Sequence, residues 1–241
     1  MSKINIPILM YHSIELMPRS TIMRSLHVPP KRFEFQMWIL KALGYQGLSL
    51  KNLQPYLRGE KQGKVVGITF DDGYQNNLIN AAPILKKYKF SATCYLVSKR
   101  IGSFNKWDID KGINQRSLMT EDEIFKWLDL GLDIGAHSKT HVDLTTITEQ
   151  DCQKEIYDCK EDLEKKFKVL ITDFCYPYGR FNESVCTMTK NSGFHSATTM
   201  IRGRANPQSD NYQLPRIPIN HHTLPHLFIA KILTNYEDRR K

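Results

Sequence analysis

Lys64–Gly73 reads KVVGITFDDG, and the reading of this stretch decides the fold. Its first half is a continuous apolar run rich in β-branched residues, Val65, Val66, Gly67 and Ile68. That is the composition of a strand buried on both faces, as in a parallel sheet. It closes on two adjacent carboxylates and a glycine, Asp71, Asp72 and Gly73. Two acids directly after a buried strand are costly to desolvate unless they hold a cation or share a proton. The carboxyl end of a parallel strand is also where α/β folds place their sites. The plainer alternative is a solvated Asp-Asp-Gly turn, since turns favour both residue types. The flanking sequence has to choose between the two.

Outward from this strand, the chain alternates between two periodicities. Ile6–Tyr11 reads as a strand ending at His12, Arg32–Leu43 as a helix stopped by Gly44, and Gly47–Leu50 as a short strand. After the central strand come a helix over Leu78–Lys87, a strand over Ala92–Val97, a helix over Glu121–Leu130 and a strand over Leu132–Ala136. The pattern continues with a long charged helix, Glu149–Phe167, and a strand, Ile171–Tyr176. A helix over Glu183–Asn191, strands over His195–Thr199 and Gln213–Ile219, and a last helix over Leu224–Tyr236 complete it. Strands alternating with helices at this spacing are parallel βα units, and about eight in one unbroken series favour a closed or nearly closed barrel. Neither linker composition, internal repeat nor low-complexity segment interrupts the series, so residues 1–241 are expected to form one domain. The one long irregular piece, Ser98–Thr120 with Trp107, is a candidate cover for a site.

The 241 residues carry 41% hydrophobic and 10% aromatic side chains, enough for a sizeable core, and a formal charge of +9. That charge suits an anionic partner, but no nucleic-acid motif or aromatic-interleaved basic stripe accompanies it, so nucleic acid is not expected. The five cysteines (Cys94, Cys152, Cys159, Cys175, Cys186) are odd in number and form no CxxC pair. Cys152 and Cys159 share a helix face but stand about two turns apart, too far to bridge. Reduced thiols, a short apolar run at the N-terminus and no membrane-length apolar segment together predict a cytoplasmic enzyme. Leu227–Leu233 with Lys231 and the terminal Arg-Arg-Lys offers a peripheral membrane contact, set against a helix that simply packs.

After the strand Leu132–Ala136 comes HSKTH, with His137 and His141 four apart. A helical turn there would face both imidazoles toward one cation. The pair follows a buried strand as Asp71 and Asp72 do, which puts both groups on one rim of a barrel. Two neutral imidazoles and one carboxylate make a three-ligand divalent site with open positions. The second carboxylate is then free to take a proton from attacking water. Ferrous oxygenases use a similar donor set, but on an antiparallel barrel that this βα alternation does not match.

Thr69–Gly73 (TFDDG), His137–His141 (HSKTH) and Tyr176–Gly179 (YPYG), in this order, resemble the polysaccharide deacetylase family, the fourth family of carbohydrate esterases. The resemblance runs from Tyr11–His12 to Leu214–Ile219 (LPRIPI). It implies a distorted (β/α) barrel of seven or so strands that removes acetyl groups from N- or O-acetylated sugars. It also implies Asp71 as general base, Asp72, His137 and His141 as ligands of one divalent ion, expected to be zinc, and Ser138 ordering the histidine loop. The Tyr178 backbone N–H would help to hold the oxyanion. Two departures stand out. Cys175 occupies the place of the family's arginine before Pro-Tyr-Gly, with Arg216 as its replacement partner. No late Leu-x-His motif supplies the acid, which points to the branch with an N-terminal Tyr-His and to His12, with His221 and His222 as substitutes. The resemblance therefore implies N-deacetylation of an N-acetylhexosamine in a polysaccharide, oligosaccharide or glycolipid, and the charge of +9 suits an anionic one. An O-acetyl carbohydrate esterase and a non-catalytic glycan-binding barrel are the alternatives.

Overall fold

The computed structural model describes residues 5–240. Eight strands, β1 (Ile8–Tyr11), β2 (Gln46–Leu48), β3 (Val65–Phe70), β4 (Thr93–Leu96), β5 (Asp133–Ala136), β6 (Asp173–Cys175), β7 (Ser196–Arg202) and β8 (Leu214–Pro218), form one sheet. Every pairing between them is parallel. β1 pairs with both β8 and β3, so seven strands close on themselves and β2 is left outside the ring. β2 covers the first half of β3 (Val65–Gly67), and β4 covers the second (Thr69–Phe70). The result is a distorted (β/α) barrel. The alternation that reads as parallel units in the sequence is what the molecule builds, with strand ends shifted by one to three residues, the most at the end of β7, which runs on to Arg202.

Among the described residues, seven α-helices surround or cap the barrel: α1 (Pro30–Ala42), α2 (Leu50–Leu57), α3 (Ala82–Tyr88), α4 (Glu121–Asp129), α5 (Glu149–Phe167), α6 (Glu183–Asn191) and α7 (Pro225–Leu233). Local chemistry sets their ends. Thr120 and Glu123 form a reciprocal capping box on α4, and the Thr148 and Asn182 side chains accept N–H groups at the starts of α5 and α6. An aromatic chain joins strand to helix in the outer layer. Phe33 of α1 lies 5.1 Å from Tyr11 and 5.7 Å from Phe70, and Phe70 lies 5.9 Å from Trp127 of α4.

Three local readings are corrected. The sequence pattern passes over α2, whose buried Leu50, Leu53, Gln54 and Leu57 share one face although Pro55 removes a helical donor. This helix closes the amino-terminal mouth of the barrel: Gln54 Nε2 donates to Ser196 Oγ at 3.0 Å, and Leu50 N to Thr93 Oγ1 at 2.9 Å. The helix expected over Leu78–Lys87 begins as a π-helical turn, Asn77–Ala81, before α3. The last helix ends at Leu233, not Tyr236.

All five cysteines are free thiols, as expected. Among the described residues, no helix is long and apolar enough to cross a membrane. α7 packs by Phe228, Lys231 and Ile232, with Lys231 Nζ donating to Pro218 O at 3.0 Å and pairing with buried Glu237. Residues 1–4 of the N-terminal run and Lys241 of the basic C-terminus lie outside the described residues.

Candidate active site

The carboxyl ends of β1, β3, β5 and β6 meet at one rim, and all six site residues expected from the sequence line the same cleft there: His12, Asp71, Asp72, His137, His141 and Tyr178. The two aspartates separate because the backbone turns sharply between them. Asp72 has φ 74° and Gly73 φ 77°, a left-handed pair that sends consecutive side chains in different directions. A Cβ on Gly73 would also come within 3.0 Å of Leu96.

Asp72 turns toward the histidines. Its Oδ1 lies 3.4 Å from His137 Nε2 and 3.3 Å from His141 Nε2, and the three donor atoms fall within 4.8 Å of one another. A tetrahedral ion with bonds near 2.05 Å needs its ligands about 3.3 Å apart, and both carboxylate–imidazole distances match that spacing, so this donor set fits a divalent ion such as zinc. Burial opposes charge on Asp72, but its hydrogen bonds to both histidines outweigh that and hold its pKa well below the ordinary value. Burial lowers the pKa of His141 despite Asp72 beside it, which favours the neutral ring that a metal requires. His137 is fixed by its other nitrogen, Nδ1, 2.7 Å from Cys175 O. That bond leaves Nε2 to face Asp72.

The turn bearing the histidines faces both rings to one point without being helical. Ser138 and His141 have φ 58° and 68°, and Ser138 Oγ accepts the His141 N–H at 2.9 Å. This hydroxyl turn brings the rings to a centroid distance of 4.8 Å.

Asp71 turns the other way, onto Arg216 of β8. The guanidinium holds the carboxylate in a fork, Nη1–Oδ1 2.7 Å and Nη2–Oδ2 2.8 Å. Arg216 is itself fixed by Thr199 O at 2.8 Å and Thr69 Oγ1 at 3.0 Å, and its Nη2 lies 3.3 Å from Cys175 Sγ. Burial pushes the Asp71 pKa up, but the Arg216 charge and hydrogen bonds prevail and keep it below 3.8. A carboxylate oxygen that accepts one N–H keeps a second acceptor site, so Asp71 remains able to take a proton. His12 Nε2 stands 3.9 Å from Asp71 Oδ2. Its backbone carbonyl accepts from buried Asn77 Nδ2 at 2.7 Å.

The family model for polysaccharide deacetylases matches residues 58–197 of the chain. The chain belongs to the polysaccharide deacetylase family. Among curated proteins it is 34% identical to YxkH of Bacillus subtilis over 217 residues, 89% of this chain and 71% of that protein. It is 28% identical to the poly-beta-1,6-N-acetyl-D-glucosamine N-deacetylase of Staphylococcus epidermidis, over 86% of this chain and 73% of that enzyme. Among solved structures it resembles the Streptococcus pyogenes deacetylase PplD in complex with acetate, with TM-score 0.83 and 26% identity over 96% of this chain and 99% of that one. The Bacillus cereus polysaccharide deacetylase BC0361 matches with TM-score 0.80 and 29% identity, over 95% of this chain and 69% of that one.

Within this family frame, the expected substitution of Arg216 for the arginine lost at Cys175 agrees with the observed fork. Cys175 contributes its carbonyl to His137 and its thiol to the Arg216 contact. His221 and His222 do not line the cleft. Sequence reasoning missed Asn77, Asp108 and Lys111, which have no motif of their own. Asp108 and Lys111 reach the cleft with Trp107 on the irregular stretch Ser98–Thr120, so that stretch does cover the site.

Proposed function

We propose that the chain is a metal-dependent N-deacetylase acting on an N-acetylhexosamine of a glycan or glycolipid. One observation carries the reading: adjacent aspartates are separated into a carboxylate converging with two imidazoles at 3.3–3.4 Å and a carboxylate held apart by a buried guanidinium. Asp72, His137 and His141 are the ligands, and zinc is the ion their donor types suit best. A dication held by these three residues would supply polarisation of the acetyl carbonyl and a lowered pKa for bound water.

The residues of the chain do the rest. Asp71 takes the proton of the attacking water at a carboxylate oxygen, while Arg216 keeps that carboxylate ionised and oriented. The Tyr178 backbone N–H, at a left-handed residue with φ 57° on the cleft wall, is assigned to the developing oxyanion. His12, whose Nε2 stands 3.9 Å from Asp71 on the cleft wall, gives a proton to the leaving nitrogen. An amide needs that proton more than an ester does, because an amine leaves poorly as an anion. The N-acetyl reading is further supported by the staphylococcal relative, which is named for N-deacetylation of a glucosamine polymer.

Mass spectrometry on a panel of N-acetylated and O-acetylated glycans, with and without chelator, tests the proposal. Loss of acetyl for hydrogen from an N-acetylhexosamine, abolished by chelator and restored by zinc, is the expected result. Release confined to O-acetyl groups would replace it with an esterase, and no release from any glycan would favour a binding barrel.

A further inference from the structure

The two histidines that converge on Asp72 are held by different means. His137 has the usual support, with its second nitrogen bonded to a backbone carbonyl. His141 has none: its Nδ1 is buried and has no hydrogen-bond partner. Its ring is instead enclosed by aromatic neighbours. Trp107 stacks on it at 4.3 Å with the planes 19° apart, and Tyr178 and His137 meet it edge-on at 4.7 and 4.8 Å.

We propose that Trp107 is the positioning residue of His141, its indole face replacing the hydrogen bond that would otherwise set the imidazole plane. This inference rests on the metal-site reading above. Edge contacts leave a ring free to tilt about its own Cβ–Cγ bond, whereas a stacked indole restricts it to one plane. In that plane, the Asp72 contact at 3.3 Å selects Nε2 as the inward atom.

Trp107 can do this because its own segment is braced. It sits in the short helical turn Lys106–Lys111. Asn105 Nδ2 donates to Asp108 Oδ2 at 3.0 Å, and Asn105 Oδ1 accepts Arg116 N at 2.6 Å. Lys111 bonds Asp108 Oδ1 at 3.2 Å and lies 4.6 Å over the Tyr178 ring. The cover and the metal ligand thus form one packed unit. In consequence, retention of the ion depends on a segment that contributes no ligand to it.

Zinc affinity, measured by competition with a chromophoric chelator, tests this in wild type, Trp107→Ala, Trp107→Phe and Trp107→Leu. Loss of a group that orients a ligand costs roughly tenfold to a hundredfold in affinity. Trp107→Ala is therefore expected to weaken binding at least about tenfold, and Trp107→Phe, which keeps a flat face, to recover most of it. Trp107→Leu fills space without a planar face and should stay closer to Ala than to Phe. Should the Ala variant not fold, the Phe–Leu difference decides. Wild-type affinity in Trp107→Ala, or equal affinity in the Phe and Leu variants, overturns the proposal while the metal site stands. A wild type that binds no zinc overturns the metal site itself.

Discussion

Each end of the barrel buries a carboxylate, and the two ends treat it in opposite ways. At the carboxyl-terminal rim, Asp71 and Asp72 are paired with a guanidinium and two imidazoles, and both pKa values lie below the ordinary 3.8. At the amino-terminal mouth, Asp173 meets only neutral donors: Ser196 Oγ at 2.6 Å, Thr172 Oγ1 at 2.8 Å and Gln54 Nε2 at 3.5 Å. Burial dominates there and raises its pKa above 3.8, despite the hydroxyls. The strands and the burial are alike, and only the partners differ. A buried acid that is kept ionised by built-in cations can take a proton on demand, while one left with hydroxyls is part of the packing.

The largest expected effect comes from removing the cation at the rim. Arg216→Met leaves Asp71 buried and unpaired, which typically costs about 3–5 kcal/mol. Urea unfolding should show that loss, and Asp71→Asn in the same chain should return part of it because the amide carries no charge to strand. A loss below about 1 kcal/mol would mean that Asp71 does not depend on the fork.

Next is the proton donor at the rim. His12→Ala should slow an N-acetyl substrate about a hundredfold, the lower range for general acid–base catalysis. An activated aryl acetate, whose phenolate leaves unaided, should be affected much less. Equal losses on both would reduce His12 to a structural role.

The smallest effect belongs to the mouth, and its sign separates the two ends. Asp173→Asn keeps the volume and the hydroxyl contacts, so the change should stay within about 1 kcal/mol. Because the folded pKa of Asp173 is raised, ionisation penalises the native state. That penalty is absent below pH 3.8 and grows as pH rises through the folded value. The variant should therefore gain on wild type as pH increases above about 4. Asp71 contributes in the reverse sense, with stability present above pH 3.8 and lost as pH falls through its lowered pKa. A variant that loses on wild type as pH rises would show that the mouth acid is stabilised as an anion.

How far the sequence discloses these ends follows from the range of the interactions. The central strand and both ligand motifs are legible because each is written in a few consecutive residues. Arg216 bonds a carboxylate 145 positions earlier, and barrel closure alone joins them; the motif position emptied at Cys175 was the only pointer. α2 escaped because eight residues with an internal proline carry little periodicity, and so the buried polar mouth it closes escaped with it. The conformation of the histidine turn is not legible, because four-residue spacing suits a helical turn equally well, whereas left-handed residues and the Ser138 hydroxyl bring the rings together another way. Trp107 was visible only as an aromatic in a long loop. Its partner is set by tertiary packing.

The account rests most on the division of labour between adjacent aspartates, and metal content measured alongside turnover tests it most directly. Asp71→Asn should retain about one divalent ion per chain, as the wild type does, while kcat falls roughly a hundredfold to ten-thousandfold. Asp72→Asn should lose the ion and the activity together, since two remaining imidazoles hold a dication poorly. Equal loss of metal from both variants, or wild-type occupancy in Asp72→Asn, would contradict it.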